Sequence, residues 1–319
     1  MHLFVKREAE TDEKYGKRPE DRSVQELIAF GCINLDKPSG PTSHQVSDFV
    51  QRILGISKAG HGGSLDPRVT GVLTIALEDA TRLSQVLLKG GKEYVGVLHL
   101  HKDVPEAEVR RVIGQFIGKI TQMPPVRSAV KRERRERTIY SFDILEIAGK
   151  DILFRVNCEA GTYIRTLCHD IGLRLKIGGH MADLRRTRVS DFTEEGLVTL
   201  HDVKDAFVLW KEEGNEKFIR YCVRPAELMV SHLPKLWVFD STVESICHGS
   251  AVAVPGLSKF TAFEKGNTVA LMTLKGELIA LGVAQMSSSD VMKATKGIAV
   301  LSTKVFMKPG TYPRFVPEA

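Results

Sequence analysis

The patterning of this 319-residue chain changes near residue 230. Before that point apolar residues recur at both helical and alternating spacings. From Pro234 onward the apolar segments are short and extended: LWVFD, AVAVPG, TVALMTL, ELIALGVAQM and IAVLSTKVFM. One layered core does not accommodate both regimes, so the chain divides into parts that fold around separate cores. Residues 1–30 read as a charged extension, 31–230 as an α+β domain and 234–312 as a small β-barrel or sandwich. Lys275-Gly276 joins two of the late segments like a hairpin turn.

Within the first domain, GCINLDKPSGPTS predicts a short strand and a Pro/Gly-rich loop. A helix follows, opened by a Thr42/Gln45 capping box and stopped at Gly55, with Val46, Phe49, Val50, Ile53 and Leu54 on one face. Asp79 to Leu88 predicts a second helix. A third opens at Asp103 and buries Val109, Val112, Ile113, Phe116 and Ile117. Strands are expected over Tyr94–Leu100, Ile139–Ile147 and Ile152–Ala160. GTYIRTLCHDIG then turns into a helix with Ile164, Leu167, Cys168, Ile171 and Leu175 toward the core. Strands and helices without strict βαβ alternation favour an α+β sheet over a doubly wound one.

Charge placement narrows the partner. Net charge is +6, and RSAVKRERRER (127–137) holds six basic and two acidic residues. A second basic cluster, LRRTR, spans Leu184 to Arg188. Such runs are commonly solvated faces, but two of them on a basic chain shift the expectation toward a polyanion, with nucleic acid foremost. The five cysteines are scattered without a CxxC, which suggests neither a disulfide framework nor a zinc ribbon. The mixed-charge N-terminus shows no secretory signal, and no apolar run is long enough to span a bilayer. His99 and His101 share a strand face; without a third ligand in the sequence they read as exposed strand histidines and not as a metal site.

The stretch GHGGSLDPRVTG (60–71) concentrates glycines, a histidine and an Asp-Pro pair just before an apolar run. Asp66 there suits a helix N-cap or a turn, and the glycines suit a tight bend. It is not a phosphate-binding Walker loop, because GK[ST] is missing. Taken singly, Tyr94 and Tyr163 read as core aromatics and Arg165 as a surface arginine. Their joint occurrence suggests more.

Five segments, GCINLDKPSGPTSHQV, GHGGSLDPRVTGVL, KEYVGVL, GTYIRTLCHDIG and DLRRTR, in this order, resemble the motifs of the TruB family of RNA pseudouridine synthases over about residues 31–200. The late extended segment resembles a PUA domain, an RNA-binding module. Together they are most similar to the archaeal and eukaryotic dyskerin-like branch, which works with H/ACA guide RNAs. Two features favour that branch: the short stretch between Tyr94 and Pro124, with little room for the RNA-gripping thumb of bacterial members, and the charged extension. The implied fold is a mixed, largely antiparallel pseudouridine synthase sheet with flanking helices, plus a β-barrel PUA domain.

The resemblance implies isomerisation of uridine in RNA, with no cofactor and no metal. It makes Asp66 the essential carboxylate, Arg165 its ion-pair partner and Tyr94 the ring that meets the flipped base, held in a water-excluding cleft. It places Tyr163, His61 and Leu184 around the nucleotide and Lys37 in support of the Asp66 loop. Arg127, Lys131, Arg132, Arg134 and Arg135 are expected to grip RNA backbone. Implied partners are an H/ACA guide RNA, a substrate rRNA or tRNA, a Nop-type zinc-ribbon protein, a Gar-type protein and a kink-turn-binding ribosomal-type protein. The expected location is the cytoplasm of an archaeon, or the nucleolus were the chain eukaryotic. Guide-free modification of the tRNA T-loop uridine is the alternative activity, and a non-catalytic RNA scaffold is a third reading.

Overall fold

The computed structural model describes residues 2–124, 131 and 133–314, so Arg127 and Arg132 lie outside the described residues. The chain forms two compact units: Cys32–Val223, and Met1–Gly31 together with Arg224–Ala319.

The first unit is built on one mixed sheet. Its strands run in the order Gly31–Lys37, Thr70–Leu77, Gly179–Val189, Lys92–Leu100, Asp151–Cys158, Arg135–Ala148 and Gly118–Gln122. All of these neighbours pair antiparallel except Thr70–Leu77 with Gly179–Val189, which is parallel. The sheet is thus mixed and largely antiparallel. Asp151–Cys158 alternates strictly, with Ile152, Phe154, Val156 and Cys158 buried toward the helix Ile164–Arg174 and its Leu167, Cys168 and Ile171.

The helix Ser43–Leu54 has the Thr42/Gln45 capping box and ends at Gly55. Its buried stripe runs Ser43, Val46, Ser47, Val50 and Leu54, while Phe49 is exposed. The i, i+3, i+4 stripe is centred one position from where the apolar residues alone suggested. Ser43 belongs to it because its hydroxyl bonds both Leu65 N, at 2.8 Å, and Leu65 O, at 3.3 Å. The Asp79–Leu88 segment is a 3-10 turn over Glu78–Leu83 followed by an α-helix over Ser84–Lys89. The helix expected from Asp103 runs Glu106–Gly114; it stops before Ile117, which is exposed.

The second unit is a seven-stranded sheet in the order Leu3–Val5, Leu257–Thr261, Lys235–Val238, Thr268–Met272, Leu278–Ala284, Ile298–Val305 and Val252–Ala253. Thr268–Met272 and Leu278–Ala284 pair antiparallel across the Lys275-Gly276 turn. A helix, Asp240–Cys247, interrupts the extended pattern. The charged N-terminal arm is part of this unit. Leu3–Val5 adds an edge strand, Lys6 Nζ donates to Val291 O and Ala294 O, and Arg22 forms a half-buried ion pair with Glu227 at 2.8 Å. Among the described residues no helix is long and apolar enough to cross a membrane.

Candidate active site

The segment 60–71 is a strand, a loop and a second strand. Ala59–His61 pairs with Thr70–Leu77, and the intervening chain folds over the sheet edge. Gly62 packs so tightly that a Cβ would lie 2.7 Å from a Leu87 methyl carbon. Gly71, at φ +102°, sits where a Cβ would come within 2.2 Å of the Arg186 carbonyl oxygen. Asp66 starts a turn, with Val69 N bonded to Asp66 O at 3.0 Å, and no helix follows it. Its carboxylate is not spent on a cap.

Instead, Asp66 Oδ2 accepts from Arg165 Nη2 at 2.5 Å, a residue 99 positions away. Arg165 lies in the first turn of Ile164–Arg174, off the face that carries Leu167, Cys168 and Ile171. The pair is not sealed from water as the sequence reading expected: the side chains are 53% (Asp66) and 62% (Arg165) exposed. An ion pair so exposed contributes at most about 1 kcal/mol to stability. Its value lies in presenting a carboxylate at the surface.

Buried cations support the loop from below. Lys37, fully buried, donates to Pro38 O, Pro67 O and Val69 O at 2.8–2.9 Å. Burial, and then the neighbouring Arg186, push its pKa down, while Asp66 opposes the shift. Arg186, 1% exposed, bonds Val72 O at 2.8 Å, Gly63 O at 3.2 Å and Ser64 O at 3.4 Å.

Tyr94 lies directly across the ladder from Arg186. It is 9% exposed, so in this structure it is no open stacking platform. Burial raises its pKa, which keeps the phenol neutral. Leu184 is buried beside Tyr94 in the same core and faces Gly96 across the ladder. Tyr163 is half-buried, and both its backbone N–H and C=O are held by the Gln122 amide, at 3.0 and 3.1 Å. His61 Nδ1 is buried without a hydrogen-bond partner among the described residues. Burial, then Arg186 and His44, lower its pKa, so it is neutral at physiological pH.

The two basic clusters have opposite fates. In LRRTR, Arg185 makes a two-pronged bond to Asp36 at 2.9 and 3.0 Å and bonds Glu194 at 2.6 Å. Arg186 is buried, and Arg188 bonds Asn157 and Ser190 O. Arg185 and Arg188 are half-buried and Arg186 is buried, and all three are bonded within the fold, so the cluster is not the open cationic face its sequence suggested. In the other, Lys131 and Arg134 are exposed, Lys131 paired with Glu133, and Arg135 stands opposite Gln122 across the strand pair. The residues expected to meet backbone therefore begin beside the amide that pins Tyr163.

Gln122 and Arg186 are the site residues that sequence reasoning missed. A signal for Arg186 existed: period 2 along the strand puts it on the buried face of Leu184. The structure also supplies a third histidine near His99 and His101: His180 Nδ1 lies 3.1 Å from His101 Nε2, and His99 Nδ1 bonds Asp151 at 2.7 Å. Among the described residues no group of three or more His, Cys, Asp or Glu is arranged to hold a metal ion.

Residues 51–108 and 101–164 match the N-terminal domain of TruB family pseudouridylate synthases, and 165–231 match the tRNA pseudouridylate synthase B C-terminal domain. Residues 234–306 match a PUA domain and 1–47 a DKCLD (NUC011) domain. The "Probable tRNA pseudouridine synthase B" of Methanopyrus kandleri is 55% identical over 313 residues, covering 98% of this chain and 93% of its own. The protein of the same name from Methanothermobacter thermautotrophicus is 53% identical over 318 residues, covering 98% of each. A chain of "Crystal Structure of a Cbf5-Nop10-Gar1 Complex" superposes with a TM-score of 0.94 at 53% identity, covering 98% of this chain and 96% of that one. A chain of "Structure of H/ACA RNP bound to a substrate RNA containing 2'-deoxyuridine" gives 0.92 at 50% identity, with the same coverage.

Proposed function

The chain belongs to the TruB family of pseudouridine synthases, and we propose that it isomerises uridine to pseudouridine in RNA as the catalytic subunit of an H/ACA guide-RNA particle. The observation that carries the chemistry is the exposed Asp66–Arg165 pair, too weak to be a stability device and placed above a floor of buried cations. In the reaction the C1′–N1 bond of uridine breaks, the uracil turns, C5 bonds to C1′, and the C5 proton is lost while N1 takes one up, so that no atom is gained or lost overall. Asp66 meets the ribose, as nucleophile at C1′ or as base toward a sugar proton; either route uses the same carboxylate oxygen. Arg165 holds that oxygen in place.

Extruding the base costs a few kcal/mol. Tyr94 and Leu184 supply the apolar floor that receives it, Tyr163 lines the wall, and neutral His61 offers its unpartnered buried nitrogen to the nucleotide. Lys37 holds the loop that carries Asp66. Lys131, Arg134 and Arg135 track RNA backbone, as Arg127 and Arg132 do in the same reading. Replacing Arg134 with Ala should lower the salt slope of RNA binding by about 0.7–0.9, with catalysis on bound RNA intact. Salt-dependent binding assays read this, and an unchanged slope removes Arg134 from the interface.

Guide dependence rests on likeness to the chains of the Cbf5-Nop10-Gar1 complex and of the H/ACA RNP bound to substrate RNA. It supports as partners a guide RNA, a substrate rRNA or tRNA, a Nop-type zinc-ribbon protein and a Gar-type protein; a kink-turn-binding ribosomal-type protein completes the proposed particle. The archaeal relatives support a cytoplasmic location over a nucleolar one. The names of those relatives favour a second reading, guide-free action on the tRNA T-loop uridine. Pure protein incubated with unmodified tRNA, with and without guide, separates the two. In the guided particle Asp66→Asn should lower pseudouridine formation at least about a thousandfold, a loss of roughly 4 kcal/mol of transition-state stabilisation. Guide affinity should stay within about twofold. Near-normal turnover in that variant refutes the assignment of Asp66, whereas a wild-type particle that forms no pseudouridine leaves the scaffold reading standing.

A further inference from the structure

The strand Arg135–Ala148 carries an extra residue at Tyr140. Ile139 pairs with Cys158 and Ser141 with Asn157 of the neighbouring strand, so Tyr140 is left unpaired in a β-bulge. On the other side the partner strand ends at Gly118, opposite Ile139. The bulge has a packing cause. It lets Ile139 and Phe142, three positions apart, both face the core, where strict alternation would bury Ser141 instead. Packing dictates the bulge but not the residue in it. A small polar side chain would serve, yet the chain places there a phenol ring that is 58% exposed. Among the described residues the Tyr140 side chain has no hydrogen bond or ring contact.

Its surroundings say what such a ring suits. Tyr140 follows Lys131, Arg134 and Arg135 in one stretch of chain, and its ring edge lies 4.0 Å from where a Cβ on Gly91 would stand, two residues after the exposed Lys89. Ile139, Cys158 and Lys92 form one row across the sheet, two residues short of Tyr94, so the ring stands at the end of the sheet that carries the site. Cations interleaved with an open aromatic match single-stranded RNA: the charges meet phosphates, and the ring stacks on a base whatever its identity. A protein anchor would instead sit in a patch depleted of charge. We propose that Tyr140 is a stacking platform for an unpaired base of the bound RNA. This rests on the RNA-modifying function proposed above.

The test uses full-length protein in the reconstituted guided particle. Guide or substrate RNA carries 2-aminopurine, whose fluorescence falls on stacking, at one unpaired position at a time. Wild-type protein should quench one such position. Tyr140→Ala and Tyr140→Leu should each restore that fluorescence and weaken RNA binding at least about fivefold. Tyr140→Phe should keep the quenching and hold affinity within about twofold, because it keeps the ring. The salt slope of binding should be the same in all four proteins, since stacking releases no counterions. The Leu variant keeps apolar bulk and guards against an Ala variant that fails to fold. Wild-type affinity in the Ala and Leu variants, the absence of any quenched position, or a loss shared by Phe overturns the proposal. So does a variant that binds RNA normally but no longer holds a protein subunit, which would make Tyr140 a protein contact. A wild-type particle that binds RNA and forms no pseudouridine sinks the function proposed above, while the fluorescence still decides the stacking.

Discussion

Two arginines serve the same loop from opposite sides of the dielectric boundary. Arg165 stands in water beside a carboxylate, whereas Arg186 lies in the core bonded to backbone carbonyls, across the ladder from Tyr94. The exposed one has a charged partner that water would otherwise solvate well, so its bond adds little to stability. Among the described residues the buried one has no carboxylate at ion-pair distance, yet it makes buried bonds to the Val72 and Gly63 carbonyls, so its removal is felt by the whole unit. An arginine proposed to order a reactive group and an arginine that holds a fold are told apart here by burial and partner chemistry, since both occur in motif segments of similar polarity.

That contrast breaks most readily at the buried member. Arg186→Met should strand the Gly63 and Val72 carbonyls and cost about 3–5 kcal/mol. The melting temperature of the first unit, followed by calorimetry, should then fall by roughly 6–20 °C; a fall of only a degree or two would mean the carbonyls find other donors. Next comes Arg165→Ala. It should reduce single-turnover activity at least about a hundredfold, close to 2.7 kcal/mol, and move the melting temperature by no more than about 4 °C. Equal losses in stability for the two variants would erase the distinction.

A third buried cation sharpens it more gently. Lys92 donates to Leu87 O, Leu88 O and Gly90 O, and burial, the chief cause, lowers its pKa from 10.5 to about 8. Between those values the unfolded chain binds a proton that the folded one lacks. Stability from this group therefore rises as pH climbs from about 8 to 10.5 and is lost as pH falls back through 8. Chemical denaturation of wild type and Lys92→Met across that window should show the rise flattened in the variant. Parallel curves would mean that Lys92 keeps its ordinary pKa in the fold.

The site was not legible residue by residue: singly, Asp66 suited a cap or turn, Tyr94 and Tyr163 the core and Arg165 the surface, and it was their joint occurrence in five ordered motifs that suggested a site. The capping box at Thr42 was readable because it is a local bond between residues three apart. What misled was the local reading of charge. LRRTR looks as cationic as the 127–137 run, yet Asp36 and Glu194 neutralise Arg185 and the core takes in Arg186. Composition carries no record of which face of a strand meets the core, although the alternation through Leu184 held that clue. Ile117 was misplaced for a related reason: apolar periodicity continues past Gly114, but the helix does not.

From the amino-acid order alone came the division near residue 230 and the family resemblance, and through that resemblance the carboxylate proposed to carry the chemistry, because short-range spacing and motif order are properties of the linear chain. Only folding decided that Arg165 would reach Asp66 across 99 residues, that the N-terminal arm would complete the second sheet, and that Arg186 would leave water. Those outcomes depend on strand register and on the solvent excluded by distant segments, and both exist only once the sheets have closed.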